Sequence, residues 1–516
     1  MRMRFHETPF YYIPQGHKLP DGVIERRALY VNGEWVAPQG AGFYDVVNPS
    51  TEAVIGHVAE AAPADVERAV AAARLAFDKG PWPRMTIKER YQRMRRFLEA
   101  LEKRRGEAAG LAIVEAGAPA PIANGMHVAL TLDHMAGALE AALRLRPRAL
   151  EPTITQMPDF FGGARVLGQY LAVYEPVGVA SLFSAYNFPF LLNGVKIAPA
   201  LIAGNTAVVK APPQTPLETY IFAEAAEEAD LPPGVLNVVS GLDVEIGKIL
   251  SSDPRVDLVS FTGSDVVGAK IMAQAAPTVK RVFLELGGKS ALIVRPDGDL
   301  DTAAAVGLSA MTNQAGQGCI LTTRHLVHAS VFDAYIEKIT AMAGQVVIGD
   351  AANPATTMGP LISALQRDRS ERFVNEAVAE GAEIVFGGKR PAHLDRGWFY
   401  EPTLVKGVQN SWPIAQQEIF GPVSVVMPFK DDEEAVEIAN ASDFGLSGHI
   451  ISRDIGHAAE LALQLRTGEV YINGGSSAMS PFQPFGGTRK SGFGKQGGDE
   501  GLLEYMNLKT ILLKGG

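Results

Sequence analysis

The residue with the most reactive side chain in this sequence is also its rarest: the chain has one cysteine, Cys319. By itself a lone cysteine is more often a small buried hydrophobe than a nucleophile. Its neighbourhood changes that reading. In NQAGQGCILTTR (313–324) the thiol follows a loop holding Gly316 and Gly318, behind a helical run at 302–312. Glycines let a backbone approach a substrate closely, and an N–H beside the nucleophile can face a developing oxyanion. FLELGGKS (283–290) carries Glu285, a lone carboxylate in an apolar strand that ends at two glycines. It is either a strand end facing solvent or a desolvated group whose raised pKa suits general-base work. SAYNFPF (184–190) sets Asn187 where a strand gives way to a loop, as a turn residue or as an amide donor to an oxyanion.

The composition limits what such a site can serve. The 516 residues predict two to four domains at roughly 150 residues each. With 47% apolar and 20% charged residues the chain can build a large core. A formal net charge of -10 leaves no basic excess to neutralise phosphates, which argues against a nucleic-acid partner. One cysteine excludes an intrachain disulfide framework and a thiolate-rich zinc site, and the ten histidines form no His-x-x-x-His pair, so no metal is expected. The N-terminal stretch lacks a continuous apolar segment, and no run of about 18 apolar residues occurs. The expectation is a cytoplasmic protein with no membrane partner.

The elements that would position these residues follow from periodicity. Residues 1–27 read as an irregular leader. ALYVNGEWV (28–36) reads as a hairpin turning at Asn32-Gly33, and ADVERAVAAARLAF (64–77) as a helix with Asp65 as its cap. Two or three more helices fill 86–145. Short β-branched runs at 176–183, 206–211, 235–239, 256–261, 281–286 and 291–294 then alternate with helical ones, at 217–229 and after Gly263-Ser264. That alternation predicts βαβ units and a parallel sheet. A second α/β unit follows, with strands near 325–329, 384–387, 423–429 and 446–452, and the chain ends in another strand-like stretch. Two textual matches are discounted: SGFGKQG (491–497) contains Gly-x-Gly-x-x-Gly but has no preceding strand, and GGKS (287–290) would need a glycine at Phe283 to be a phosphate loop.

Taken together, the ordered pieces resemble the aldehyde dehydrogenase superfamily from about residue 28 to the end. They are YNFPF with Asn187, VVKAPPQTP with Lys210, FTGS with Gly263 and Ser264, LELGGKS with Glu285, GQGC with Cys319, QEIFGPV with Glu418 and Phe420, YING with Asn473, and PFGGTRKSGFG (484–494). Any one is a weak signal; eight in the family's order are specific.

The resemblance implies an α/β fold: a Rossmann-like parallel-sheet cofactor domain (28–150 and 175–287), a second α/β catalytic domain (288–485) and a β oligomerisation arm (151–174 and 486–516). It implies NAD(P)-dependent oxidation of a small-molecule aldehyde to an acid, in a homodimer or homotetramer. Cys319 would be the nucleophile, Asn187 and the Cys319 N–H the oxyanion donors, Glu285 the base that activates water, and Lys196 a lysine used in proton handling. Lys210, Gly263, Ser264, Glu418 and Phe420 would hold the cofactor. Phe188, Leu192, Val195 and the segment 476–485 would flank the substrate; being apolar or small, they favour an uncharged aldehyde. Relatives that pass the acyl group to coenzyme A generally lack a glutamate at the position of Glu285, so hydrolysis is expected. Pro213 stands where strongly NAD-selective members carry a glutamate, which leaves NADP possible beside NAD. Asp265 and Val266 replace the frequent Thr and Glu, Gln314 replaces an asparagine, and Gln496 stands where many members have a glutamate.

Overall fold

A computed structural model of the protein describes residues 16–40, 42–163, 165–474 and 480–515. Among the described residues, two large twisted sheets and one arm organise the chain. The first sheet runs, edge to edge, through Gly492–Phe493, Arg281–Glu285, Leu258–Thr262, Val179–Phe183, Thr206–Lys210, Leu236–Val239, Leu29–Val31 and Glu34–Val36. From Arg281–Glu285 to Leu236–Val239 the pairing is parallel. These central strands are almost wholly buried, as expected when helices cover both faces and continuous apolar runs replace alternation. From Val179–Phe183 the chain winds first towards Leu236–Val239, then crosses back to Leu258–Thr262. The crevice beyond the carboxyl ends of those two strands is where open α/β sheets take ligands.

The second sheet runs Glu383–Phe386, Thr403–Lys406, Val423–Phe429, Arg324–His328, Ala291–Val294, Gly448–Ile451 and Tyr471–Ile472. The α/β expectation therefore holds for both units. The arm consists of Arg148–Gln156, Arg165–Pro176 and Met506–Gly515, joined antiparallel. Its strands begin at Arg148 rather than 151. Residues 488–503, grouped with the arm in the sequence, pair elsewhere: Thr488–Arg489 with Phe444–Gly445, and Gly492–Phe493 with Arg281–Glu285.

Local chemistry accounts for most boundaries. Asn32 and Gly33 both have positive φ (58° and 80°), the geometry a tight hairpin needs. Ser264 caps Asp265–Ala275 by accepting from the Val267 N–H, and Asp299 caps Leu300–Thr312 from the Thr302 N–H. Asp65 is not the cap expected of it. The helix starts earlier, at Pro63 behind Ala62, and Asp65 sits in its first turn, accepting the backbone N–H groups of Ala62 and Gln39. Part of the supposed leader is ordered too: Ile24–Arg26 pairs parallel with Val54–Ala59, while residues 1–15 lie outside the described residues.

One buried cation ties the second sheet together. The Arg324 guanidinium, 2% exposed, donates to the carbonyls of Lys289, Ile438 and Ala439 and to Asn410 Oδ1. A lysine has no planar fork to match that set. Arg324→Lys is expected to cost about 3 kcal/mol, because buried carbonyls lose charge-assisted donors. A urea titration would read this as a lowered midpoint with an unchanged slope.

Candidate active site

The two sheets present opposite ends to one seam. Asn187 follows strand Val179–Phe183, Lys210 ends Thr206–Lys210, Gly263 and Ser264 follow Leu258–Thr262, and Glu285 ends Arg281–Glu285. All lie at carboxyl ends of the first sheet. Cys319 and Glu418 sit instead in loops that enter the amino ends of Arg324–His328 and Val423–Phe429. A cavity of about 1490 Å³ fills the seam and is lined by all seven of these residues, among others.

The cysteine loop is conformationally unusual. Gln314, Ala315 and Gly316 have positive φ in succession (49°, 53° and 74°). For the two non-glycine residues this costs of order 1 kcal/mol each, so surrounding contacts must hold the loop. They do: Gln314 Nε2 donates to the Ala116 carbonyl at 2.7 Å, Gln317 Nε2 to the Gln314 carbonyl at 2.9 Å, and Gln317 Oε1 accepts the Ile362 N–H at 3.0 Å. A side chain at Gly316 would strike the Gly421 carbonyl oxygen at 2.2 Å. Asn187 is tied to the same loop, its Nδ2 donating to the Gln317 carbonyl at 2.9 Å. That bond uses one amide hydrogen and fixes the plane; the second remains for an oxyanion. Cys319 is partly exposed into the cavity. Its thiol is pushed well up by burial, then by the Glu418 and Glu285 carboxylates.

Glu285 is 3% exposed, and neither carboxylate oxygen has a hydrogen-bond partner among the described residues. Burial therefore holds its pKa well above the usual carboxylate range, opposed by the cations Lys196 and Lys495. Lys196, on helix Pro189–Ala203, is fully buried, donates to Ser260 Oγ at 3.0 Å and stands 5.2 Å from the Phe283 ring centroid. Burial brings it down to about 7, against the pull of Glu285. The carboxylate and the amine are thus both displaced towards neutrality, the condition under which protons move easily at pH 7.

On the cofactor side, Lys210 is held by the Ala211 and Gly241 carbonyls at 3.3 and 3.4 Å and is brought down to about 8 by burial. Glu418 Oε1 accepts the Gly288 N–H at 2.9 Å. The carboxylate can come this close only because residue 287 is glycine; a Cβ there would meet Glu418 Oε2 at 2.2 Å. Burial pushes Glu418 up to about 7. Phe420 takes positive φ (60°) and packs edge-on against Tyr186, 5.8 Å between centroids. A partly buried cation, a capped helix N-terminus and a carboxylate along one groove suit the ribose hydroxyls and pyrophosphate of a dinucleotide. The substrate side is apolar: Phe188, Leu191 and Val195 cluster with Leu130, and Met126 and Leu192 pack against them. Of the segment 476–485, Phe485 lines the cavity, while residues 475–479 lie outside the described residues.

Comparison with known proteins bears on this arrangement. The model of the Aldehyde dehydrogenase family matches residues 35–511. The chain belongs to the aldehyde dehydrogenase family. A 3-succinoylsemialdehyde-pyridine dehydrogenase from a Pseudomonas species is 39% identical over 490 residues, 94% of this chain and 98% of that one. Among solved structures, a Mycobacterium tuberculosis aldehyde dehydrogenase complexed with NAD+ is 38% identical with a TM-score of 0.88, covering 95% of this chain and 99% of the other. A Staphylococcus aureus betaine aldehyde dehydrogenase in complex with NAD+ is 35% identical with a TM-score of 0.89, covering 94% of each chain. Within the family frame, most residues singled out in the sequence gather at one cavity; Lys196 stands behind Glu285 rather than in the cavity wall, and Asn473 is absent from that wall, its side chain bonding the Ser452 backbone instead.

The seam also holds residues that sequence motifs passed over. Glu469, two positions before YING, is 9% exposed and adds its charge to those felt by Glu285 and Cys319. Its only sequence signal was a charged residue directly before a short apolar run, Val470–Ile472. His127, fully buried, packs against the Phe188 ring, tilted by 45° with 4.9 Å between centroids. Because Cys319 is the sole thiol, alkylation by iodoacetamide reports it alone. Glu418→Gln removes a negative neighbour and so stabilises the thiolate; the alkylation rate should rise at lower pH than in the unaltered protein. An unmoved profile would contradict the electrostatics described here.

Proposed function

We propose that this protein oxidises aldehydes to carboxylic acids with NAD, and accepts NADP as well, through covalent catalysis at Cys319. The observation that carries the reading is a desolvated, unpartnered Glu285 facing the same cavity as the only thiol. Cys319 Sγ adds to the aldehyde carbon, and the thiol proton leaves to a base. The new oxyanion accepts from the free Asn187 amide hydrogen and the Cys319 N–H. When bound, the nicotinamide supplies the acceptor for the hydride that leaves the aldehyde carbon. Lys210, Ser264, Glu418 and Phe420 would hold that dinucleotide, with Lys210 and Glu418 at its two riboses. The resulting thioester is hydrolysed: Glu285 takes a proton from water, the water oxygen bonds to the acyl carbon, and the C–S bond breaks to regenerate Cys319.

A carboxylate at residue 213 would repel a 2′-phosphate; proline does not, which supports use of both cofactors. The apolar wall of Phe188, Leu192 and Val195 supports an uncharged aliphatic or aromatic aldehyde. The base at Glu285 supports hydrolysis over transfer to coenzyme A. With Glu285→Gln, a first burst of NADH should remain while steady turnover falls by about 10²-fold or more, as for loss of a general base. Full steady-state turnover in that variant would overturn the reading.

An arm that leaves Ile154, Leu508, Ile511, Leu512 and Leu513 exposed supports a homodimer or homotetramer, since exposed apolar strand surface needs cover. Leu512→Glu should lower the mass measured by light scattering behind size exclusion.

A further inference from the structure

Hydrolysis leaves a proton on Glu285, and a buried carboxylic acid must lose it before the next turnover. Gln496 lines the cavity but cannot ionise. It is 6% exposed, its backbone is bonded both ways to Phe485 at 2.6 and 2.7 Å, and its Nε2 has no partner among the described residues. The chamber therefore needs another acceptor.

Glu469 lies beside it, close enough to add its charge to both Glu285 and Cys319. It lies at the amino end of Tyr471–Ile472, on the same rim of the second sheet that carries Cys319 and Glu418. Glu469 Oε2 accepts from the Tyr471 hydroxyl at 2.6 Å, and Gln483 Nε2 donates to that hydroxyl at 3.2 Å. Its Oε1 makes no hydrogen bond of good geometry, although the Gly486 N–H faces the carboxylate. Gly486 is what it shares with Glu285. Glu285 Oε1 occupies the space beside the Gly486 Cα, only 2.5 Å from where a Cβ would sit. One residue without a side chain thus separates the two carboxylates. Lys495 donates to the Gly486 carbonyl and exerts its charge on Glu285, Glu469 and Glu504. Lys495 is half-exposed, so the cluster reaches solvent.

Resting on the hydrolytic reading above, we propose that Glu469 accepts the proton of the hydrolytic water from Glu285 across Gly486 and passes it to solvent beside Lys495. The step balances: the O–H bond formed on Glu285 breaks, an O–H bond forms on Glu469, and solvent base removes that proton in turn. Burial keeps Glu469 basic enough to accept, while the Tyr471 hydroxyl, the Gly486 N–H and the Lys495 charge keep the ionised form from being excluded. Glu504, also buried in part, faces the same lysine from helix Gly498–Leu503's end.

The test is turnover of Glu469→Gln with an aldehyde and NAD, with and without added imidazole as an exogenous proton carrier. Glutamine keeps an acceptor for Tyr471. The NADH burst should persist and the steady rate should fall by about 10-fold, less than the ~10²-fold loss of the base itself. Imidazole should restore most of it, which a merely structural role would not allow. Glu469→Asp, a carboxylate on a shorter arm, should fall less and respond to imidazole in the same direction. Unchanged turnover, or a loss that imidazole does not touch in either variant, overturns the relay. Glu285→Gln run in parallel separates the two readings. If it turns over fully, the base is misassigned; if it stalls while Glu469→Gln is normal, only the relay fails.

Discussion

Everything at this site depends on keeping ionisable groups out of water. An isolated carboxylate or ammonium in a low-dielectric interior costs several kcal/mol even after relaxation, so such groups survive only by sharing partners or shifting protonation. Glu285 and Lys196 feel each other's charge, and each is displaced towards its neutral form. Glu418 and Cys319 sit under the same constraint on the opposite rim. The two parallel sheets make this possible. Their strands are buried on both faces, and the seam where carboxyl ends meet amino ends is walled by packed apolar cores.

Glycine placement then decides how near the groups can come. Gly287 lets Glu418 reach the Gly288 N–H, and Gly486 lets Glu285 lie against the chain that also serves Glu469. At these points an alanine would displace a carboxylate rather than merely crowd a loop. The strained turn at Gln314 and Ala315 is the counterpart on the cysteine side, held by side-chain amides that reach into both halves of the molecule.

Much of this was legible in the sequence, and the reasons differ by feature. Central strands such as Thr206–Lys210 and Ala291–Val294 announce themselves because burial on both faces demands continuous β-branched runs. Ser264 reads as a cap because its hydroxyl does local work. The motif residues could be found because family resemblance preserves chemistry in order. Asp65 misled because a carboxylate in the first helical turn looks like a cap when the true start, Pro63, is not polar. Glu469 was invisible because its burial is made by Tyr471, Gly486 and Lys495 together, and no local pattern encodes a contact across distant loops. Residues 123–129 form a π-helical turn whose period matches no helix or strand template, and His127 sits within it.

The central claim is that carbon–oxygen chemistry passes through one covalent bond to Cys319. Rapid acid quench of the protein with an aldehyde and NAD, followed by intact and peptide mass spectrometry, tests it most directly. The account predicts an adduct equal to the aldehyde less two hydrogens, on the peptide bearing Cys319, accumulating further when Glu285 is replaced by glutamine. Acid product formed with no such adduct, or an adduct on any other residue, would contradict it.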